Sequence, residues 1–128
     1  MTDYPFVKTD AGRSFSKRKK QKNDCTVRAV ALVMAVPYDT AYDHLRDLGR
    51  DCSRGFSVPD FADDQPDLKP LPVENGMTLG KFLQEHPKGT HMVTIKGHVF
   101  GIVDGTVYDT FTISADTQIG RAWEKSND

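Results

Sequence analysis

The sequence predicts an α+β fold, and three observations carry that prediction. Residues 25–35, in which only Thr26 and Arg28 are not apolar, follow a polar and basic stretch and read as a buried helix. Residues 90–108 change to strand formers, among them Val93, Ile95, Val99, Ile102, Val103, Val107 and Tyr108, and contain the hairpin signal Asp104-Gly105. Helices thus precede strands instead of alternating with them, the order of an α+β domain with a largely antiparallel sheet. A chain of 128 residues has room for one core, so residues 24–128 are expected to form a single domain.

Each element has its own local reason. Residues 1–23 show neither helical nor strand periodicity, and Pro5, Gly12 and the run Ser16 to Lys22 mark them as an extended or loosely docked basic arm. Asp24 stands where an N-cap belongs, and the first helix should run from Cys25 to about Ala35, stopped by Pro37. In the next segment Ala41, Tyr42, Leu45 and Leu48 fall at helical spacing with Gly49 as a stop, giving an amphipathic helix. Residues 50–76 hold Pro59, Pro66, Pro70 and Pro72 with Asp60, Asp63, Asp64 and Asp67, a composition that resists long regular elements and suits a covering loop. Thr78 caps a short helix to about Glu85, closed by Pro87. Two strands separated by Gly97 and a third after Asp104-Gly105 follow, with one more through Ile119 to Trp123.

Composition narrows the function classes. No apolar run reaches the roughly 18 residues of a membrane span, and the N-terminal residues show no secretory pattern, so a cytoplasmic protein is expected. Cys25 and Cys52 are the two cysteines, too few for a disulfide framework, and read as free thiols. Residues 1–24 hold seven basic and three acidic side chains, but no aromatic residue interleaves the basic run, which argues against a nucleic-acid surface. A metal site built from Cys25, Cys52, His91 and His98 lacks the short paired spacing of zinc ligands, so neither metal nor cofactor is expected.

The chemistry centres on Cys25. A thiol in the first turn of a helix sits where unsatisfied N–H groups and the macrodipole favour negative charge, although a buried Cys at a helix start is also an ordinary small hydrophobe. A two-residue loop at Asp104-Gly105 pairs Val103 with Thr106 and brings His98 opposite Phe111, which puts Asp109 on the same side of the sheet as His98. Cys25, His98 and Asp109 are then nucleophile, base and orienter. His91 is the main rival to His98, whereas His44 and His86 read as solvated or capping, Cys52 as incidental, and Trp123 and Phe111 as core or sheet-edge aromatics.

The segment "NDCTVRAVALVMAVPYDTAYDHL" with the later "GHVFGIVDGTVYDT" resembles the papain-like cysteine peptidase superfamily, nearest to its small bacterial and phage leader-peptidase-like members. The likeness covers residues 20–112 and rests on Asp-Cys opening a helix, Gly-His opening a strand and Asp closing the next, in the order Cys, His, Asp. It implies a papain-like fold, with a helix carrying Cys25 packed on a C-terminal antiparallel sheet. It further implies a thiol hydrolase or acyltransferase acting on a peptide or isopeptide bond, without metal, on a peptide or protein substrate. The family's oxyanion Gln has Lys19 in its usual place, leaving Gln21 and Asn23 as oxyanion candidates. The alternative is a non-catalytic protein of the same fold that binds and modulates a protein partner, such as a phage protein blocking a host factor.

Overall fold

The structure, a computed structural model, describes residues 4–17, 24–47, 62–63 and 65–126. Three helices and six strands lie within them: β1 (Phe6–Lys8), α1 (Cys25–Val33), α2 (Tyr38–Asp47), β2 (Leu68–Leu71), α3 (Leu79–Glu85), β3 (Thr90–Ile95), β4 (His98–Val103), β5 (Thr106–Asp109) and β6 (Ala122–Lys125). The strands make one sheet in the order β1-β5-β4-β3-β6-β2. The α+β class holds, but the sheet is mixed rather than antiparallel throughout. Strand β1 runs parallel to β5, and every other neighbouring pair is antiparallel.

The α1 helix buries Thr26, Val27, Ala29, Val30, Ala31 and Val33, and it lies so close to β4 that a Cβ on Gly101 would come within 2.5 Å of Leu32 Cδ2. It ends two residues earlier than expected. Ala35 adopts φ 56°, its N–H bonds to the Leu32 carbonyl, and the Val36 N–H bonds to the Ala31 carbonyl. This is a Schellman closure with alanine where glycine is usual. Asp24 occupies the N-cap position without making a side-chain cap; its carboxylate turns to ionic partners described below. The α2 helix buries Tyr38, Ala41 and Leu45. In α3 the Thr78 hydroxyl accepts from the Lys81 N–H at 3.2 Å, the expected cap.

Strand alternation divides the core into two layers. Met92, Val99 and Trp123 pack with α1 and α2, while Val93, Phe100, Ile102, Val107 and Ala122 pack with α3. The β4–β5 register pairs Gly101 with Tyr108 and Val103 with Thr106, as a two-residue turn requires, and Asp104 and Gly105 both have positive φ. Strand β2 lies within a region expected to be loop, because Pro70 argues against a strand; it is tolerated here because β2 is the sheet edge. The last strand begins three residues later than Ile119, and Trp123 is fully buried, its Nε1 donating to Asp63 at 3.1 Å.

Residues 4–17 are more than a loosely docked arm. Strand β1 pairs with β5, Thr9 N–H bonds to the Asp109 carbonyl at 2.8 Å, Val107 N–H bonds to the Pro5 carbonyl, and the Tyr4 hydroxyl donates to the Ile113 carbonyl. Three residues held by backbone pairing leave no periodicity to detect. Deleting residues 1–17 is therefore expected to lower stability by about 2 kcal/mol or more, since it strips backbone bonds and the half-buried Phe6 from the sheet; an unchanged melting temperature contradicts the pairing. Replacing Ala35 by Gly is expected to stabilise the protein by about 0.5–1 kcal/mol in chemical denaturation, by relieving the left-handed alanine.

Candidate active site

The first residue of α1, the first of β4 and the last of β5 meet at one end of the sheet. Cys25 is half-buried, and the His98 ring and the Val99 amide lie near enough to its thiol to act on its ionisation. The other His98 nitrogen, Nε2, lies 2.5 Å from Asp109 Oδ2. Because that nitrogen faces a carboxylate, it carries a proton, and Nδ1 is the nitrogen directed to the thiol. The Asp109 side chain is 1% exposed and that of His98 12%.

The three groups hold one another in shifted protonation states. Burial alone pushes the Cys25 thiol up, but the hydrogen bonds from His98 and the Val99 amide, with the positive charges of His98 and Arg28, bring it below its ordinary value. Burial alone pushes His98 down, yet Asp109 and Cys25 raise it to about 9. Asp109 lies below the usual carboxylate range: desolvation acts upward and is outweighed by His98, the Thr110 amide and Arg28. A depressed thiol beside a raised imidazole shifts the two groups toward a thiolate–imidazolium pair.

The site occupies the rim of the sheet rather than the face that α1 covers. By alternation His98 shares the row of Phe100 and Ile102, and Asp109 the row of Val107, on the α3 side, whereas Gly101 faces α1. Both residues terminate their strands, and there the start of α1 reaches around to them. The Phe111 ring, 52% exposed, packs 5.0 Å from the His98 ring, so the cross-strand neighbourhood persists although β5 pairing ends at Asp109.

Around this trio lies an ionic network that the sequence did not announce. Arg28 Nη1 donates to Asp109 Oδ1 at 2.7 Å, and its Nε donates to Asp24 Oδ1 at 3.1 Å. Asp24, 3% exposed, also accepts from Arg13 and from the Tyr38 hydroxyl at 2.8 Å. A single cation inside an apolar helix was the available signal. Its partner on β5 was not visible, being 81 residues away.

The rival histidine is placed elsewhere. His91 is fully buried on the α3 side, 5.3 Å edge-on from Phe82, with Nε2 at 3.3 Å from Glu124. Burial lowers its pKa, which Glu124 only partly offsets. His86 is the C-cap of α3 and stacks tilted on Phe82, and His44 lies on α2. Cys52 and the oxyanion candidates Gln21 and Asn23 lie outside the described residues. Among the described residues no group of His, Cys, Asp or Glu is placed to hold a metal ion, and no helix is long and apolar enough to cross a membrane. A cleft of about 440 Å³ lined by Tyr4, Leu83, Gln84 and Pro87 opens beside the Asp104-Gly105 turn, at the end of β4 remote from His98. Comparisons with protein-family models, with curated proteins and with solved structures find no match to this chain.

The pairing has a direct titration signature. NMR of the His98 ring should show its proton leaving near pH 9, and Asp109→Asn should move that event down by roughly one unit or more. Because the folded-state value lies above the unfolded 6.5, His98 stabilises the fold below about pH 6.5 and loses that contribution as pH rises through 9. The stability difference between the wild type and Asp109→Asn should accordingly narrow from pH 7 to 10. Titration of His98 near 6.5 in the wild type contradicts the pairing.

Proposed function

We propose that this chain is a thiol hydrolase or acyltransferase of papain-like architecture that acts on a peptide or isopeptide bond, with Cys25 as nucleophile, His98 as proton carrier and Asp109 as its orienter. The observation that carries the reading is the position of His98 between the Asp109 carboxylate and the Cys25 thiol, with the thiol lowered and the imidazole raised. That combination suits acyl transfer, because the nucleophile is ionised before substrate arrives and the proton it gave up is held where the leaving group needs it. The order helix with Cys, strand with His, strand with Asp also agrees with the sequence resemblance to the papain-like superfamily.

In the proposed reaction Cys25 Sγ bonds to the carbonyl carbon and the C=O π electrons move to oxygen. The start of α1 offers its dipole and first-turn N–H groups to that oxyanion, and Gln21 or Asn23 would add a side-chain donor. As the tetrahedral intermediate collapses, the C–N bond breaks and the departing amine takes the proton from His98, leaving a thioester on Cys25. Water then gives its proton to neutral His98 and attacks the thioester, releasing the acid and the thiolate and restoring the imidazolium. An amine in place of water gives the transferase outcome.

Alkylation followed by mass spectrometry tests the premise. Cys25 is expected to react with iodoacetamide at pH 6 at least tenfold faster than an unperturbed thiol of pKa about 8.5, and His98→Ala to remove most of that advantage. Trapping of a thioester on Cys25 with a peptide library tests turnover; where a substrate is found, His98→Ala should lower kcat/KM by about 10²–10⁴-fold. A reactive, low-pKa Cys25 that forms no acyl-enzyme across a broad library favours the partner-binding alternative. An accessible Cys25 that titrates near 8.5 with or without His98 ends the hydrolase reading.

A further inference from the structure

Arg28 lies one turn inside α1 from Cys25 and is 13% exposed. Its guanidinium is divided among partners on two elements: Nη1 lies 2.7 Å from Asp109 Oδ1 and 3.2 Å from Thr110 Oγ1, and Nε lies 3.1 Å from Asp24 Oδ1. The two Asp109 oxygens are thereby assigned. Oδ1 accepts from Arg28 and from the Thr110 N–H at 2.7 Å, and Oδ2 faces His98. Asp24 is held in turn by both of its oxygens, since Arg13 Nη1 lies 3.1 Å from each and Tyr38 donates to Oδ2.

We propose that Arg28 is a positioning residue of the Cys25–His98–Asp109 arrangement: it holds Asp109 by one oxygen so that the other is presented to His98, while Asp24 fixes the same guanidinium to the start of α1. The inference rests on Cys25 and His98 forming a working pair, as read above. Its physical basis is that one rigid cation ties the helix bearing the nucleophile to the strand end bearing the orienter. A sliding of α1 along the sheet that separates Cys25 from His98 also breaks two charge-assisted hydrogen bonds. Lysine cannot replace it in full. A single ammonium on a flexible stem has no fork that satisfies two carboxylates through separate nitrogens.

Arg28 also shares Asp109 with His98. A carboxylate wholly free for His98 would bind the imidazolium proton more tightly; one that swings away would not bind it at all. The guanidinium sets a state between these limits, at the cost of burying three charges whose desolvation only good geometry offsets. Among the described residues the charged and titratable groups facing this point are Cys25, Asp24 and Arg28 on α1 and its cap, Tyr38 on α2, His98 on β4, Asp109 on β5, Arg13 from the turn after β1 and Tyr4 ahead of β1.

The experiment follows the rate of Cys25 alkylation against pH in the full chain for the wild type, Arg28→Met, Arg28→Lys, Asp109→Asn and the Arg28→Met/Asp109→Asn double variant. Arg28→Met should slow alkylation at pH 6 at least fivefold while leaving the plateau rate near pH 9.5 within about twofold, because only the ionised fraction changes. Arg28→Lys should recover part of that loss. In the Asp109→Asn background Arg28→Met should add less than twofold, since its action passes through Asp109. A purely structural role lowers the melting temperature and leaves the pH of half-maximal reactivity unmoved, which overturns the inference. Full additivity with Asp109→Asn also overturns it, by showing that Arg28 acts on the thiolate through its charge alone and not through Asp109. Should Arg28→Met fail to fold, Arg28→Lys decides: a raised half-reactivity pH supports the role and an unchanged one refutes it. His98→Ala run in parallel separates the two ideas. If it leaves the Cys25 profile unchanged, the hydrolase reading fails; if it shifts the profile and the Arg28 variants do not, only the positioning role fails.

Discussion

The structure turns on a carboxylate taken out of water. Asp109 ends β5 with its side chain almost wholly covered, and an isolated ion there costs several kcal/mol unless its oxygens find donors. They find three sources: the Arg28 guanidinium, the Thr110 amide and the His98 ring. Meeting that requirement brings the first turn of α1 to the end of the sheet. It also makes the encounter of Cys25 with His98 a consequence of electrostatic satisfaction as much as of hydrophobic packing. Packing alone fixes the distance of α1 from the sheet, because Gly101 admits the helix closely. Interdigitated side chains, with Leu32 and Val33 seated at Gly101, also resist a slide along the strands. The ion pairs add a directional constraint at the end where Cys25 and His98 meet.

The same logic explains why the N-terminal segment is part of the domain. Strand β1 closes the edge of β5 beside Asp109, and the Thr9 amide takes the Asp109 carbonyl. Four residues further on, Arg13 reaches the carboxylate that precedes Cys25. The backbone of one buried acid and the side chain of the other are thus both satisfied from a segment shorter than fifteen described residues. Asp24 illustrates the trade involved. It occupies the N-cap position, where a side-chain bond to the first turn is worth about 1 kcal/mol, yet it gives that up for three ionic or hydroxyl donors. A capping carboxylate would also place negative charge on the helix end that carries Cys25, against the downward shift of its thiol. Turned toward Arg13 and Arg28, its charge is largely neutralised before it reaches Sγ.

How far the sequence foretold this depends on the range of each interaction. The relation of His98 to Asp109 was legible because a two-residue Asp-Gly turn allows one register, which the three pairs from Val103–Thr106 to Gly101–Tyr108 carry toward the far ends of the strands. The side of the sheet was not. Alternation places both residues in the row that faces α3, and only the finite length of the strands lets α1 reach them from the other side. The end of α1 was missed because Ala35, not a glycine, takes the left-handed position, and β1 and β2 were missed because one has three residues and the other contains Pro70. Arg28 was visible as an oddity, the one charge in an apolar helix. Its meaning lay in a residue far along the chain, which no local rule reaches.

Charge accounting shows why such a network suits a proton-transfer site. With Cys25 and His98 neutral, Arg13 and Arg28 balance Asp24 and Asp109. With the proton moved from thiol to imidazole, one positive and one negative charge are added side by side, and the sum is still zero. The buried cluster therefore accepts either position of the proton without acquiring a net charge, so the choice rests on local fields alone. Asp109 favours the imidazolium, Arg28 and the helix start favour the thiolate, and burial opposes both ions. An apolar side chain at position 28 leaves Asp24 and Asp109 with one fewer cation between them. Asp109 then loses the donor that fixes its Oδ1, and the oxygen presented to His98 is no longer held in place. The single cation in α1 is thus where the demands of folding and, in the proposed function, of thiol activation coincide.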